Sequence, residues 1–318
     1  MLGKRSSPDR RDFVSTDQRA LPARSDRVPL GIILMLGATA MFAGSQAISK
    51  WQVASYPVVE VLFLRAFISL LTCGVLILPG HGFGVFRTRR IGAHAARNLT
   101  QTVAQSCLLI ALSLMPLASA MAINFSTPLF ATLFAAIWLK ERVGTARAFA
   151  LAAGFGGVLV VASPGADAFR MGALFAVANA VLFGSVTTAV RGLSKTESAG
   201  TLTMYQMVFL TLFFGLALPV VGFVWPVSSN DWIALTLNGV INGVGQYWWT
   251  RSLSLAPPAA VGPFYYFSLV WAMMLGFAFW GDVPSLTLLA GSAVVVSSGL
   301  FLLWHESGKK PVAEPAEM

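Results

Sequence analysis

Long apolar stretches, separated by short polar connections, occupy most of this chain between residues 29 and 304. Stretches of about 20 apolar residues are long enough to cross a hydrocarbon core of about 30 Å. Because backbone polar groups in lipid must be satisfied within their own segment, these stretches are predicted to be helices and not strands. We place ten of them, at 29–49, 56–79, 95–114, 117–138, 145–163, 170–190, 199–221, 232–254, 258–280 and 284–304.

The chain also repeats itself at a constant offset, which pairs LSLMP at 112–116 with LSLAP at 253–257. The same offset pairs Gly31 with Gly172 and Gln105 with Gln246 without a gap. We call it the repeat offset, and we call two positions that it relates equivalent. A gap-free repeat indicates two copies of five spans each, at 29–163 and 170–305.

Since five is odd, the second copy enters the membrane from the opposite side, as in many secondary transporters. The predicted fold is an all-α integral membrane protein with ten transmembrane helices in two inverted five-helix repeats.

The composition leaves little room for a soluble domain. Hydrophobic residues make up 56% of the chain and charged residues 11%, whereas soluble domains carry roughly 25% charged residues. The polar tails at 1–28 and 306–318 are too short and too poor in apolar residues to bury a core, and we interpret them as cytoplasmic tails. Cys73 and Cys107 fall inside apolar spans, where they are interpreted as small hydrophobic residues.

Basic residues are distributed unevenly between the two sides of the predicted helices. If ten spans are correct, 19 of the 22 Lys and Arg residues fall on the side of both termini. Lys50 and Arg170 fall on the opposite side, and Arg65 lies within a span. An excess of basic residues marks the cytoplasmic side, so the sequence predicts a bacterial inner membrane protein with both termini in the cytoplasm. The net charge of +9 then reflects topology and anionic lipid, and no nucleic-acid partner is expected.

Four motifs of the first copy resemble a known transporter repeat. They are PLASAMAINF at 116–125, TPLF at 127–130, LKERVG at 139–144 and GFGGVL at 154–159. On these motifs the chain, over about residues 29–305, resembles the EamA repeat of the drug/metabolite transporter superfamily. The resemblance implies ten helices in two inverted repeats and the transport of small metabolites. Within the superfamily, the chain is similar to bacterial amino-acid exporters.

Arg65 is predicted to lie roughly 14 Å along its helix from Tyr56, near mid-membrane. A charge at that depth is costly, so an ionisable residue there is a functional candidate. Two roles remain open: an anchor that bonds carbonyl groups of a neighbouring helix, or a cavity residue that pairs with an anionic or carboxylate substrate. Glu60, nearer the outer surface, is interpreted as a side chain that extends to the interface.

Amide and aromatic side chains fall at comparable depth in other spans. Buried amides bridge helices or bind a zwitterionic ligand. The ninth span is rich in aromatic residues, some of which lie too deep for an interfacial belt and could line a pocket for an apolar or aromatic group. The candidate substrate-binding residues are Arg65, Gln105, Asn124, Asn242, Gln246, Tyr265, Tyr266 and Trp271.

Prolines and glycines within the spans suggest gating positions. Pro128 and Pro263 should each weaken or kink a helix, which suits alternating access, although a static bend is an equal alternative. Gly243 and Gly245 are typical of close helix packing, with a hinge as the alternative.

These features together predict a secondary transporter or facilitator that exports aromatic or apolar amino acids across the inner membrane by alternating access. A small-molecule substrate and the lipid bilayer are its expected partners. A carrier of a nucleobase, a sugar or a cationic drug is the alternative, and a membrane-embedded receptor or enzyme is less favoured. The sequence has no P-loop, zinc signature or cofactor loop, so no cofactor, metal or ATP drive is expected. A monomer and a homodimer are both compatible with the sequence.

Overall fold

A computed structural model describes residues 28–138, 145–162, 167–193, 196–226, 228–256 and 258–307. The regular elements of these residues are helices, with a short 3-10 helix at Gly82–Phe86. The predicted tails, apart from residues 28, 306 and 307, and the LKERVG motif lie outside the described residues. The α-helices are α1 (Val28–Gln52), α2 (Val58–His81), α3 (Ile91–Leu114), α4 (Leu117–Asn124), α5 (Thr127–Trp138), α6 (Thr145–Ala162), α7 (Asp167–Leu193), α8 (Ala199–Val221), α9 (Ser229–Leu255), α10 (Pro258–Tyr265), α11 (Phe267–Trp280) and α12 (Leu286–Ser307).

Eight of the ten predicted spans correspond to one helix each, whereas the spans at 117–138 and 258–280 are each divided into two helices. The α3 and α9 helices carry buried polar side chains, which lower their hydropathy below that of the other long helices. The ten-span count therefore stays a prediction. Within the described part of the chain, six stretches can cross a membrane by length and composition: Val28–Gln52, Val58–Phe86, Leu117–Phe134, Arg170–Val190, Ala199–Val221 and Pro263–Trp280.

The helix boundaries follow the repeat in the sequence. The α2 and α8 helices begin at equivalent positions, Val58 and Ala199, and so do α6 and α12, at Thr145 and Leu286. The short helices α4 and α10 are equivalent at both their first and last residues. The offset that relates the two sequences therefore also relates the positions at which these helices begin, and for α4 and α10 the positions at which they end.

Contacts between the two halves of the chain are reciprocal. A Cβ atom added to Gly31 on α1 would lie 2.8 Å from Cβ of Ala256, just after α9. A Cβ atom added to Gly172 on α7 would lie 3.2 Å from Cβ of Met115, just after α3. Gly172 and Ala256 are equivalent to Gly31 and Met115, so each half contributes the same two positions to the other half. Reciprocal contacts of this kind are the mark of a two-fold relation.

The α6 and α12 helices cross with their backbones in close approach. A Cβ atom on Gly157 would lie 2.9 Å from the carbonyl oxygen of Gly291 and 3.1 Å from Cβ of Val294. The neighbouring Gly156 is exposed, and a Cβ atom there would have no heavy atom within 4 Å. Gly157 thus sets the distance between the last helices of the two halves, and Gly156 does not.

Gly157→Ala should destabilise the protein by about 1–3 kcal/mol, because the new methyl group must push a backbone carbonyl away. Gly156→Ala should be neutral or stabilise slightly, since alanine favours a helix and meets open space. Thermal unfolding of both variants in the same detergent measures the difference. Equal unfolding temperatures for the two variants would show that α6 and α12 do not cross at Gly157.

Candidate functional site

The two divided spans meet at their breaks, in the middle of the bundle. The first break lies at Phe125 and Ser126, between α4 and α5, and the second lies at Tyr266, between α10 and α11. The ring of Phe125 packs against that of Tyr266, with centroids 5.2 Å apart, and edge-on against that of Tyr265 at 5.9 Å. Phe125 and Tyr266 occupy equivalent positions and both are buried. We call these two turns the paired breaks.

Each break is stabilised by an equivalent hydroxyl group. Thr127 Oγ1 donates to the carbonyl of Asn124 at 2.7 Å, and Ser268 Oγ donates to the carbonyl of Tyr265 at 2.8 Å. Both bonds run from the hydroxyl to the carbonyl three residues earlier, and both donors and acceptors are equivalent positions. In the first break, Pro128 has no N–H group to offer the Asn124 carbonyl, which explains why a side chain takes that role.

The predicted kinks at the two prolines are therefore interruptions of the helices, but neither proline is itself the break. Pro128 lies in the first turn of α5, just after the break, and Pro263 lies within α10, three residues before the second break. The amide of Tyr266 bonds to the carbonyl of Pro263 at 3.3 Å, as in a tighter turn. A gating role for these prolines stays a prediction.

Polar groups near the paired breaks are only partly satisfied. Asn124 Oδ1 accepts a hydrogen bond of 2.6 Å from Asn179 Nδ2 on α7. The Tyr266 hydroxyl is buried and has no hydrogen-bond partner among the described residues; the same holds for Nε1 of Trp271, farther along α11. The hydroxyl lies against Gly299 of α12, where a Cβ atom would overlap it. The breaks thus combine aromatic surface with donors that a bound molecule could use.

Arg65 belongs to a buried polar network that joins several helices. Its side chain is 5% exposed and donates to Ser49 Oγ of α1 at 3.3 Å and to Gln105 Oε1 of α3 at 2.8 Å. Those two bonds engage two of the five N–H groups of a guanidinium. Arg65 therefore joins three helices through side chains, and not through the carbonyl groups that an anchor was predicted to bond.

Asn238 on α9 completes this network and was absent from the candidates predicted from the sequence. Its Oδ1 accepts from Ser45 Oγ at 2.6 Å, and its Nδ2 donates to Ser49 Oγ at 2.9 Å and to Gln52 Oε1 at 2.7 Å. We call the set Ser45, Ser49, Gln52, Arg65, Gln105 and Asn238 the Arg65 network. It joins α1, α2 and α3 of the first half to α9 of the second half.

A second network lies at the opposite end of α3. Arg97 is 7% exposed and donates to Gln206 Oε1 of α8 at 2.7 Å and to the Leu202 carbonyl at 3.2 Å. The sequence suggested only a flanking topology signal for Arg97. His94, one turn earlier, stacks on Tyr205 at 4.6 Å between ring centroids. We call the set Thr88, His94, Arg97, Glu197, Tyr205 and Gln206 the Arg97 network.

The repeat offset relates positions of the two networks, but the arginine of each network corresponds to an amide residue in the other. Gln206 is equivalent to Arg65, and Asn238 is equivalent to Arg97. Each network thus contains one arginine, and each arginine's equivalent is an amide in the other network. The sequence signal for Asn238 was the spacing of three amides on α9, at 238, 242 and 246, which places them near one face of the helix.

The interpretation of Glu60 as a side chain that extends to the interface is wrong. Its side chain is fully buried, and its Oε2 accepts from the amide of Val224, in the connection between α8 and α9, at 2.9 Å. A backbone N–H group in a connection has no acceptor from a helix, and the carboxylate supplies one. At the same end, Lys50 Nζ donates to the carbonyls of Leu112 and Met115, at the end of α3, at 2.8 and 2.7 Å.

The remaining candidates lie on α9, apart from Trp271 on α11. Asn242 Nδ2 donates to Ser69 Oγ of α2 at 2.9 Å, and Gln246 is half-buried farther along α9. Gly243 and Gly245 lie in an uninterrupted part of α9, with Gly243 packed on α2 and Gly245 packed on α1. The structure thus gathers Asn124, Tyr265 and Tyr266 at the paired breaks, and Arg65 with Gln105 in the Arg65 network. A hinge at the glycines stays a prediction.

The known proteins that this chain resembles are transporters. The sequence profile of the EamA-like transporter family matches the chain twice, over residues 29–163 and 170–304. A riboflavin transporter of Rhizobium johnstonii is 28% identical over 292 residues, which cover 91% of this chain and 96% of that protein. The pseudopaline exporter CntI of Pseudomonas aeruginosa is 26% identical over 89% of this chain and 99% of that protein.

Two further similarities are more distant. An S-adenosylmethionine uptake transporter of Rickettsia conorii is 24% identical over 83% of this chain and 89% of that protein. A solved crystal structure with 22% sequence identity superposes with a TM-score of 0.61, covering 84% of this chain and 95% of that chain. At that identity the superposition shows a shared fold alone.

Proposed function

As this chain belongs to the EamA-like transporter family and is a transporter and not an enzyme, we propose that it carries a small organic metabolite with a planar aromatic ring. The two five-helix halves would move about the paired breaks and expose the site first to one side of the membrane and then to the other. With both termini in the cytoplasm, as the sequence predicts, the Arg97 network closes the cytoplasmic side and the Arg65 network lies toward the outer side.

The observation that carries this proposal is the meeting of two broken helices. Discontinuous helices near the bilayer midplane form the substrate sites of many secondary transporters, because their turns expose polar backbone and side-chain groups. Here the turns bring the rings of Phe125, Tyr265 and Tyr266 together. An aromatic ring of a substrate can stack on or pack edge-on against such rings. The unpartnered Tyr266 hydroxyl and Trp271 Nε1 can orient it.

Two substrate classes with such a ring stand first. Riboflavin is one, because relatives from Rhizobium, Vibrio and Brucella are riboflavin transporters at 24–28% identity. Aromatic amino acids are the other, because the sequence predicts the export of aromatic or apolar amino acids. For an amino acid, the guanidinium of Arg65 would pair with the carboxylate. Riboflavin carries no such charge and would use the rings and the unpartnered donors instead.

Flux into proteoliposomes tests this proposal. The panel contains riboflavin, tryptophan, leucine, adenine and glucose, each with and without a pH gradient. At least one of riboflavin and tryptophan should cross at a rate about tenfold or more above that of protein-free vesicles. Transport of leucine or glucose alone would reject the aromatic substrate while the carrier assignment stands. Transport of adenine alone would favour the nucleobase alternative.

A further inference from the structure

His94 is a buried titratable residue to which the proposed substrate site gives no role. It lies in the first turn of α3 and is fully buried, yet neither ring nitrogen has a hydrogen-bond partner among the described residues. Buried polar atoms are nearly always paired, so an unpaired imidazole requires an explanation. An imidazole is also the side chain whose charge changes between about pH 5 and pH 8.

The groups around the His94 ring are placed to respond to a proton. Nε2 lies 4.0 Å from Glu197 Oε1, too long for a hydrogen bond but close enough for an ion pair. Glu197 Oε1 accepts a hydrogen bond of 2.6 Å from Thr88 Oγ1, and its side chain is 9% exposed. The other titratable groups nearby are Tyr205 on α8, stacked on the ring, and Arg97 on α3 itself. The site thus holds one carboxylate and one guanidinium beside a histidine.

We propose that His94 and Glu197 form a proton-binding site, and that the proton loosens the cytoplasmic closure made by the Arg97 network. The proton would pass from cytoplasmic water, by way of the partly exposed Glu197 carboxylate, to Nε2 of His94, and return by the same route. No bond other than those to the proton forms or breaks. The site itself is independent of the substrate, whereas its effect on flux rests on the proposed transport function.

The effect on the closure follows from the position of Arg97, three residues after His94 on the same helix. Residues at that spacing are neighbours on a helix surface, and like charges there repel. An imidazolium at His94 would therefore repel the Arg97 guanidinium and weaken its hydrogen bonds to Gln206 and the Leu202 carbonyl. It would also attract the Glu197 carboxylate away from Thr88. Both changes weaken contacts that hold α3 and the α2–α3 connection to α8.

A polar stripe connects this site with the other network. Asn98 is one turn beyond His94 and is fully buried, and neither atom of its amide has a partner among the described residues. Gln101 and Gln105 continue the same face of α3, and Gln105 accepts from Arg65. The stripe from His94 to Gln105 is about 16 Å long at the rise of an α-helix. A proton at His94 therefore acts at the start of a continuous polar face that ends at the Arg65 network.

Nuclear magnetic resonance of the purified protein with labelled histidine tests the site without any substrate. The chain has three histidines, so the signals can be assigned with His81→Gln and His94→Gln. We expect the pKa of His94 to lie below its ordinary value, because burial disfavours the imidazolium. Its midpoint should fall further in Glu197→Gln, because the carboxylate no longer stabilises the imidazolium. A His94 that does not titrate above about pH 5, or whose midpoint is unchanged in Glu197→Gln, overturns the proposal.

Flux measurements then test the effect on the closure. Wild-type flux should rise by about threefold or more as the internal pH falls from about 7.5 to about 5.5. The dependence should vanish in His94→Gln and persist in His81→Gln, since His81 is exposed at the end of α2. A pH dependence that persists in His94→Gln would assign the response to another group and overturn the effect on the closure. A normal titration of His94 with no transport of any solute would leave the proton site standing and reject the transport proposal.

Discussion

Replacing Arg65 with alanine should reduce substrate flux by about tenfold or more, while Glu60→Gln should leave flux within about twofold of wild type. The guanidinium donates to Ser49 and Gln105 on two other helices, and a hydrogen bond to a charged group contributes about 1.5–3 kcal/mol. Glutamine at position 60 keeps an oxygen to accept from the amide of Val224. Initial rates in proteoliposomes, at matched protein content, measure both.

Arg65→Lys separates the charge of Arg65 from its shape. Lysine keeps the positive charge but lacks the planar fork that reaches two acceptors at once. If the network aligns helices, the lysine variant should resemble alanine. If the charge pairs with a substrate carboxylate, lysine should restore part of the flux of tryptophan and none of that of riboflavin. Wild-type flux from Arg65→Ala for every transported solute would exclude a functional role for this residue.

Tyr266→Ala should raise the KM for the transported solute by about tenfold, which corresponds to about 1.4 kcal/mol of binding free energy. The ring of Tyr266 packs on Phe125 at the paired breaks, and the substitution removes one of the three rings that meet there. Tyr266→Phe keeps the ring and removes only the unpartnered hydroxyl. A smaller rise in KM is expected for that variant, of about threefold, if the hydroxyl bonds the substrate.

Phe277→Ala is the matched control, because Phe277 lies on α11, the helix that begins just after Tyr266, but is 61% exposed. Its KM should equal that of wild type. Thermal unfolding of each variant distinguishes a binding defect from a folding defect, since Tyr266 also belongs to the buried apolar cluster. An unchanged KM in a stable Tyr266→Ala variant would place the substrate away from the paired breaks.

The positions of the helices along the chain could be predicted from the sequence, because each helix is marked by its own stretch of apolar residues. Apolar length gave the helix positions, and the repeat offset anticipated the equivalent starts of α2 and α8. Pro128 and Pro263 indicated that two spans are weakened, since a missing N–H group is visible in the sequence. The position of each break was not predictable, because it depends on how Phe125 and Tyr266 pack against each other across the bundle.

Partners of the buried polar residues could not be predicted for a similar reason. Glu60 and Arg97 both lie near helix ends, where a charged side chain commonly reaches water. The structure instead gives Glu60 a loop amide and gives Arg97 an amide and a carbonyl on α8. These contacts join segments that are far apart in the chain, so spacing along one helix carries no signal for them. The substrate roles of the candidate residues stay predictions.

Counterflow in proteoliposomes tests the central claim, that a carrier with one site exposes it alternately to the two sides. Vesicles are loaded with a high concentration of unlabelled solute, the best transported of riboflavin and tryptophan, and diluted into a trace of labelled solute. Our account predicts a transient accumulation of label above its equilibrium level, and a much smaller transient with Tyr266→Ala. Uptake that only approaches equilibrium, with no overshoot in the wild type, would contradict alternating access at the paired breaks.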